Sequence, residues 1–375
     1  MSIALLIFGI LSFVGLVIVH EWGHFIAARR SGVEVEEFGI GFPPKAATIT
    51  KKNGTEYTLN WLPLGGFVRL KGEHDGDKEK GSFGAAPINS KVRIMIAGVA
   101  MNLLTAFLLL TLVAIIGMPQ LVDNQFKIAS DSKISDQRMY VSYVDEGSPA
   151  DKAGIQVRDQ LLSITDNKNN TIELGGVGNL SDITKSLSGQ EVSIKYIHAS
   201  EVRSSSVMLL ETSVVEASRK TDTPKGYLGI VPTDFIVRKS TWSAPIVALG
   251  TMGQFTQLTM KGLGSALAGL FSGNTAKATE QVSGPVGVFF ILKEGSTLGM
   301  AFILMIIAVI SLTLAIMNIL PIPALDGGRL FVTLLFRGLC KPLTPKMEDR
   351  IHGTGMAVLL TLFVLITIVD VKRFF

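Results

Sequence analysis

The sequence predicts a polytopic α-helical membrane protein. It has four transmembrane helices, a membrane-associated β-hairpin region and a separate α/β domain. Three observations carry that expectation. The 375 residues are 47% hydrophobic and only 18% charged, too apolar for an ordinary soluble domain. Four long apolar runs are separated by polar stretches. From Gln120 onward the pattern changes to short alternating strands over about 110 residues, near the usual domain size.

Residues 1–28 are read as the first transmembrane helix. Ile3 to Val19 is unbroken by any ionisable side chain, and the helix can continue through Ala28, enough to cross a hydrocarbon core of ~30 Å. A cleaved signal peptide is the competing reading. It lacks a basic leading region, and a histidine motif follows at once. Residues 29–91 form a polar β-hairpin region. Val33–Glu37, Ala46–Thr50 and Glu56–Trp61 look like strands, and Lys52-Asn53-Gly54-Thr55 is a hairpin turn signal. Gly39, Gly41, Pro43, Pro44, Pro63, Gly65 and Gly66 are expected to break the chain. Gly65 to Leu70 is apolar enough to dip into the membrane. The alternative is a small solvated hairpin. An exposed strand edge beside an active site could instead hold an extended substrate by strand addition. Glu73–Lys80 reads as a charged, mobile loop with His74 solvated.

Residues 92–118 are the second span, with Asn102 as its one strongly polar member. Such a residue hydrogen-bonds a neighbouring helix or lines a cavity. Residues 120–236 form the separate domain, with strands at Met139–Val144, Gln160–Ile164, Glu191–Ile197 and Ser206–Leu210. Gly147 to Ile155 reads as a turn, a short helix and a glycine stop, and His198 as a surface strand end. Residues 241–296 are read as amphipathic, interfacial segments. Within them Trp242–Ser272 is apolar but interrupted by Gly, Thr, Gln and Lys261; the alternative is a further span, which would separate the two motifs described below. Residues 298–328 are the third span, 329–350 a positively charged loop, and 351–370 the fourth span with His352 at its interface.

The chemistry gathers in two places. His20-Glu21-Trp22-Gly23-His24 puts two imidazoles at i and i+4 of a helix, on one face, where they can share a metal ion. Glu21 lies about 100° round the same turn, within reach of a water beside that metal. The bland alternative is a polar cluster that merely ends a membrane anchor. The second place is Asn318-Ile319-Leu320-Pro321-Ile322-Pro323-Ala324-Leu325-Asp326-Gly327-Gly328. Irregular backbone at membrane depth is tolerated only where it is buried in protein or lines a cavity. Asp326 would supply a third, oxygen ligand; the alternative is a capping aspartate in a helix-ending loop. The net charge of +4 is dispersed, which leaves no surface suited to nucleic acid. The single cysteine, Cys340, permits no intrachain disulfide.

Topology links the two places. With the segment Trp242–Ser272 interfacial, the spans number four and odd-numbered spans end on one side. The histidine and aspartate motifs therefore meet at the same face. Short positive stretches follow both of them, which makes that face cytoplasmic and puts the separate domain outside.

These residues resemble the site-2 protease family of intramembrane zinc metalloproteases, in its bacterial regulator of sigma-E protease branch. The resemblance rests on His20-Glu21-x-x-His24, Phe38-Gly39-Ile40-Gly41-Phe42, Gly65-Gly66-Phe67-Val68, Asn102 and the Asn318 to Gly328 motif. It implies one Zn2+ per chain on His20, His24 and Asp326, with Glu21 as the catalytic acid/base. Asn318, and with it Asn102, Gly66 and Phe67, is implied to bind substrate backbone or stabilise the transition state. The separate domain resembles a circularly permuted PDZ domain, through Gly147-Ser148-Pro149-Ala150 and Ala153-Gly154-Ile155. Tyr227-Leu228-Gly229-Ile230 is similar to the loop that binds peptide carboxylates. Only one such domain fits, where some family members carry two, and Val99 follows Gly98 where relatives often have proline.

The resemblance further implies regulated intramembrane proteolysis at a bacterial inner membrane, and a role in stress signalling. The partners would be the lipid bilayer and single-span membrane substrates, such as anti-sigma factors or signal-peptide remnants. Two rivals stay open from the residues alone. One is a non-catalytic scaffold with a peptide-binding domain, against which the intact Glu21 argues. The other is a metal transporter, which would need polar residues distributed along several spans.

Overall fold

The computed structural model of the chain describes residues 3–199, 201–221, 223–273 and 284–375. Residues 274–283, within the stretch read as interfacial, lie outside that description, as do Met1 and Ser2 of the first span. The chain divides into two units. One comprises Met1–Met118, Gln125–Ile128 and Ser240–Phe375; the other comprises Pro119–Asn124 and Ala129–Lys239.

The first unit is helical around one hairpin. It contains α1 (Ile3–Arg30), β1 (Val35–Lys52), β2 (Thr55–Leu70) and α2 (Ile88–Ile116). After the second unit it continues with α6 (Ala244–Phe271), α7 (Pro285–Gly295), α8 (Met300–Ile319), α9 (Asp326–Gly338) and α10 (Pro345–Phe374). Among the described residues, four helices are long and apolar enough to cross a membrane: α1, α2, α8 and α10. The chain is thus a multi-pass membrane protein with additional β-sheet regions. Helix α2 packs against α1, α6 and α8. Leu16, Leu292, Ile303 and Ile307 form one buried cluster between helices.

Three expectations need correction. The hairpin is not broken by its glycines and prolines. β1 and β2 pair from Lys52 opposite Thr55 out to Val35 opposite Leu70, and repeated register shifts absorb the breakers as bulges. At the tip, Asn53 and Gly54 both have positive φ, as a tight hairpin turn needs. Second, the stretch 329–350 is not all loop. Its first part completes α9, whose apolar residues recur at helical spacing, with Asp326 in the first turn and Arg337 in the last. α10 then starts at Pro345, a good first helical residue, rather than at 351. Third, the charged loop from Glu73 is fastened, not loose. The Asp75 N–H donates to Glu348 at 3.0 Å, His74 Nε2 meets Asp349 at 2.9 Å, and the buried Lys91 pairs with Asp75.

Helix α6 is one continuous element rather than several segments. Ala244, Val247, Ala248, Thr251 and Phe255 form its buried face, and it is not among the four candidate spans.

The second unit is an antiparallel sheet with short helices. Its elements are β3 (Lys133–Val144), α3 (Pro149–Lys152), β4 (Gln160–Thr165), β5 (Thr171–Glu173), α4 (Val177–Ser186), β6 (Glu191–His198), β7 (Glu201–Met208), α5 (Thr212–Ser218) and β8 (Ile230–Lys239). Within this unit the strands run in the order β8-β3-β4-β6-β7, with β5 added to β4. The core is the inward face: Met139, Val141, Leu161, Ile164, Ile194 and Leu209. Ser148 caps α3 by accepting from the Asp151 N–H at 3.2 Å, and Gly154 stops the turn at φ +76°. Strand β8 starts at Ile230, directly after the Tyr227–Gly229 loop.

Candidate active site

Helix α1 carries the histidine pair two turns before its end. His20 and His24 are buried at 7% and 9% exposure, so neither is a solvated anchor residue. Asp326 opens α9, and its Oδ2 lies 3.0 Å from His20 Nε2 and 3.2 Å from His24 Nε2. The two Nε2 atoms are 3.2 Å apart. Nδ1–H of His24 donates to the carbonyl of Ile94 on α2 at 2.7 Å, which leaves Nε2 as the lone pair. The Asn102 carboxamide lies 3.3 Å from Nδ1 of His20. Its Oδ1 is buried without a donor; with the amide turned, that oxygen accepts from His20 Nδ1–H. Both imidazoles then present unprotonated Nε2 atoms to a carboxylate oxygen.

Three lone pairs at that separation repel unless a cation lies among them. These three side chains are the group that could hold a metal ion, with ligand atoms all within 4.8 Å of one another. Two nitrogens and one oxygen suit zinc, and three protein ligands leave a fourth position for water or substrate. The room for an ion comes from Gly98 on α2. A Cβ there would lie 2.4 Å from His24 Nε2 and 2.7 Å from His20 Nε2. Asp326 is brought in by an equally close approach. A Cβ on Gly328 would lie 1.9 Å from the Ile322 carbonyl, so only glycine lets α9 turn back against the end of α8.

Glu21 is half-buried beside this cluster. Its carboxylate receives the main-chain N–H of Val68, and its Cγ lies 3.4 Å from the Cβ position of Gly66. Strand β2 is held there by an aromatic cluster between α1 and the hairpin. Trp22 stacks on Phe25 at 5.1 Å, and Phe38 meets both rings edge-on at 5.8 Å. Tyr57 closes the group at 6.0 Å from Phe38.

The other residues singled out from the sequence divide. Asn102 reaches His20, and its main-chain carbonyl accepts from Ser311 Oγ at 2.9 Å. Gly66 faces Glu21, whereas Phe67 faces the opposite way. It lines a groove of about 370 Å³ on the hairpin with Glu37, Phe42, Asn60 and Arg69. Asn318 is half-buried in the last turn of α8, and its side chain makes no hydrogen bond to a described residue. The Tyr227–Ile230 loop belongs to the second unit. The carbonyls of Tyr227, Leu228 and Gly229 accept from Leu210, Ala150 and Asp145, while the N–H groups of Leu228 and Gly229 donate to no described residue.

The sequence names Gly98 in the second-span motif but not its place against the histidines. Gly98 lies four residues before Asn102, one helical turn away on the same face. His352 was taken as interfacial. Its Nδ1 accepts from the Ala324 N–H at 3.2 Å and so holds Ala324 at φ +81° in the turn before Asp326. A cavity of about 440 Å³ lies there, lined by Asp326, Arg329, Glu73, His74, Glu348 and His352 among others. Arg329 anchors the Glu73 loop by donating to the Glu73 carbonyl, and its guanidinium sits 5.0 Å over the Phe83 ring. The hydrogen bond to Asp349 raises the His74 pKa above the ordinary histidine value.

This is the geometry of a metal-dependent hydrolase set at the end of a membrane helix. The profile of peptidase family M50 matches residues 8–362. The chain is 30% identical over 371 residues to a Clostridium perfringens protein provisionally named a zinc metalloprotease, covering 98% of each chain. It is 25% identical to the zinc metalloprotease RasP of Shouchella clausii, over 96% of this chain and 97% of that one. An Enterococcus faecalis protein provisionally named protease eep is 26% identical, over 99% and 98% of the two chains. The chain belongs to peptidase family M50. It is an intramembrane zinc metalloendopeptidase, and zinc is its cofactor.

Proposed function

We propose that His20, His24 and Asp326 hold the zinc, that Glu21 is the acid/base, and that the substrates are single-span membrane proteins cut within or near their transmembrane segment. One observation carries the site assignment: Nε2 of His20, Nε2 of His24 and Oδ2 of Asp326 converge from α1 and α9 within 3.2 Å of one another. Zinc, when bound, supplies a Lewis acid that polarises the scissile carbonyl and acidifies water. The protein's own residues do the rest. Ile94 and Asn102 fix the imidazole orientations. Glu21 takes a proton from the attacking water and returns it to the leaving amine. The Val68 N–H donates to the Glu21 carboxylate and so favours the ionised form that accepts the proton.

A helical substrate shields its carbonyls in its own hydrogen bonds, so it must unwind locally before cleavage. The Gly66–Val68 stretch of β2, beside Glu21, is the place for the extended piece to lie. Asn318, at the end of α8, is the second candidate for binding substrate backbone; its amide is uncommitted among the described residues. The second unit reads as a PDZ-like module on the outer side of a bacterial inner membrane. The uncommitted N–H groups of Leu228 and Gly229 suit a peptide carboxylate, which supports recognition of a trimmed substrate terminus. Signalling through release of a cytoplasmic factor, with anti-sigma factors or signal-peptide remnants as substrates, fits that arrangement.

The test is Glu21→Gln in the full chain, reconstituted in vesicles with a single-span reporter. Cleavage should fall by two or more orders of magnitude, about the contribution of a general acid/base, while bound zinc is retained. Undiminished cleavage would remove Glu21 from the chemistry and favour the scaffold reading.

A further inference from the structure

A cleft on the first unit lies outside the metal centre and has its own chemistry. On α1 it is lined by Gly23, Ile26, Ala27 and Arg30, which recur at helical spacing and so share one face. On α2 it is lined by Arg93, Ala97, Ala100, Met101 and Leu104, again one face. Its volume is about 470 Å³. The cations are at one end only. Arg30 is in the last turn of α1, and Arg93 is in the second turn of α2, so both sit near the ends of these two candidate spans. From Arg30 inward to Gly23 the cleft runs ~10 Å at the helical rise, and everything below the arginines is apolar or glycine.

The two arginines are also uncommitted. Arg29 donates to the Asn53 carbonyl at 2.8 Å and covers the Phe25 ring. Arg30 and Arg93 are exposed and make no hydrogen bond or ion pair with a described residue. No carboxylate lines the cleft, and the Ser31 hydroxyl is the remaining polar group at its mouth. Two free guanidiniums above an apolar slot match a ligand with an anionic head and a hydrocarbon tail. The surrounding bilayer supplies such a ligand at high local concentration.

We propose that this cleft binds one anionic phospholipid, its phosphate between Arg30 and Arg93 and an acyl chain along Ile26, Ala97, Met101 and Leu104. The lipid would rest on the back of the α1–α2 pair that carries His20, His24 and Gly98. It would brace the same two helices from the lipid side.

Native mass spectrometry of the purified full chain in detergent tests this, with phosphatidylglycerol and phosphatidylcholine of identical acyl chains. One phosphatidylglycerol per chain should be retained in preference to phosphatidylcholine. Arg30→Gln with Arg93→Gln should weaken that retention by about fivefold per arginine, roughly 25-fold for the pair. Arg30→Lys with Arg93→Lys should keep most of it. Ala100→Trp, which fills the slot with both arginines intact, should abolish it. Inorganic phosphate at millimolar concentration should not displace the lipid. Equal binding of the two lipids, unchanged retention in the glutamine pair, or displacement by phosphate alone would overturn the proposal. So would a dimer that excludes lipid, since a second copy would then occupy the cleft.

Discussion

Gly98 shows how much of the metal centre depends on atoms that are missing. The Nε2 atoms of His20 and His24 face α2 at a point where any side chain would occupy the space needed by an ion. Gly98→Ala should therefore push the imidazoles off Asp326 and weaken zinc binding by at least ~10-fold, comparable to losing a ligand-orienting partner. Competition with a fluorescent zinc chelator measures this, and unaltered affinity would show that the ion sits elsewhere. At this scale the candidate ligands were legible in the sequence, because a metal site needs specific side chains at specific spacings. The structure brings His20, His24 and Asp326 together, with Glu21 half-buried on the same helix as the two histidines. The Ile94 carbonyl was not legible, since a backbone oxygen leaves no mark in a sequence, and Gly98 showed only as a glycine one turn before Asn102.

The hairpin β1–β2 is the element that delivers backbone to Glu21, and its attachment is aromatic. Phe38 is 5% exposed and touches Trp22, Phe25 and Tyr57, so three elements share one ring. Phe38→Ala should destabilise the docked hairpin by ~3 kcal/mol, the usual cost of deleting a buried phenyl ring. Amide hydrogen exchange across Gly66–Leu70 should accelerate accordingly, while exchange in the second unit stays as it was. The hairpin's existence was legible from Asn53-Gly54 and the strand patterning. Its length was not, because Pro43, Pro44, Gly65 and Gly66 ordinarily end strands; here bulges carry the ladder past them. The helix α9 was obscured by its seven charged neighbours over 329–350, which outweighed a clear helical spacing of Leu330, Phe331, Leu334 and Leu335. His352 was hidden for a different reason: its partner is the backbone of Ala324, at a turn no periodicity describes.

For the whole molecule, the meeting of Asp326 with His20 and His24 agrees with the span parity expected from the sequence. Among the described residues four helices are long and apolar enough to cross a membrane, and α6 is not one of them. Single cysteines placed at Ser90 and Ser181, in a background with Cys340 replaced, should react with an impermeant thiol reagent from opposite sides. Reaction from one side only would break the parity reasoning. Side chains from α1 and α9 are proposed to share one ion, and the metal content of the protein decides it. Purified full chain should carry about one zinc, and Asp326→Ala should lose most of it, removing one of three protein ligands. An Asp326→Ala protein that kept a full equivalent of zinc on correctly folded chain would contradict the site as assigned.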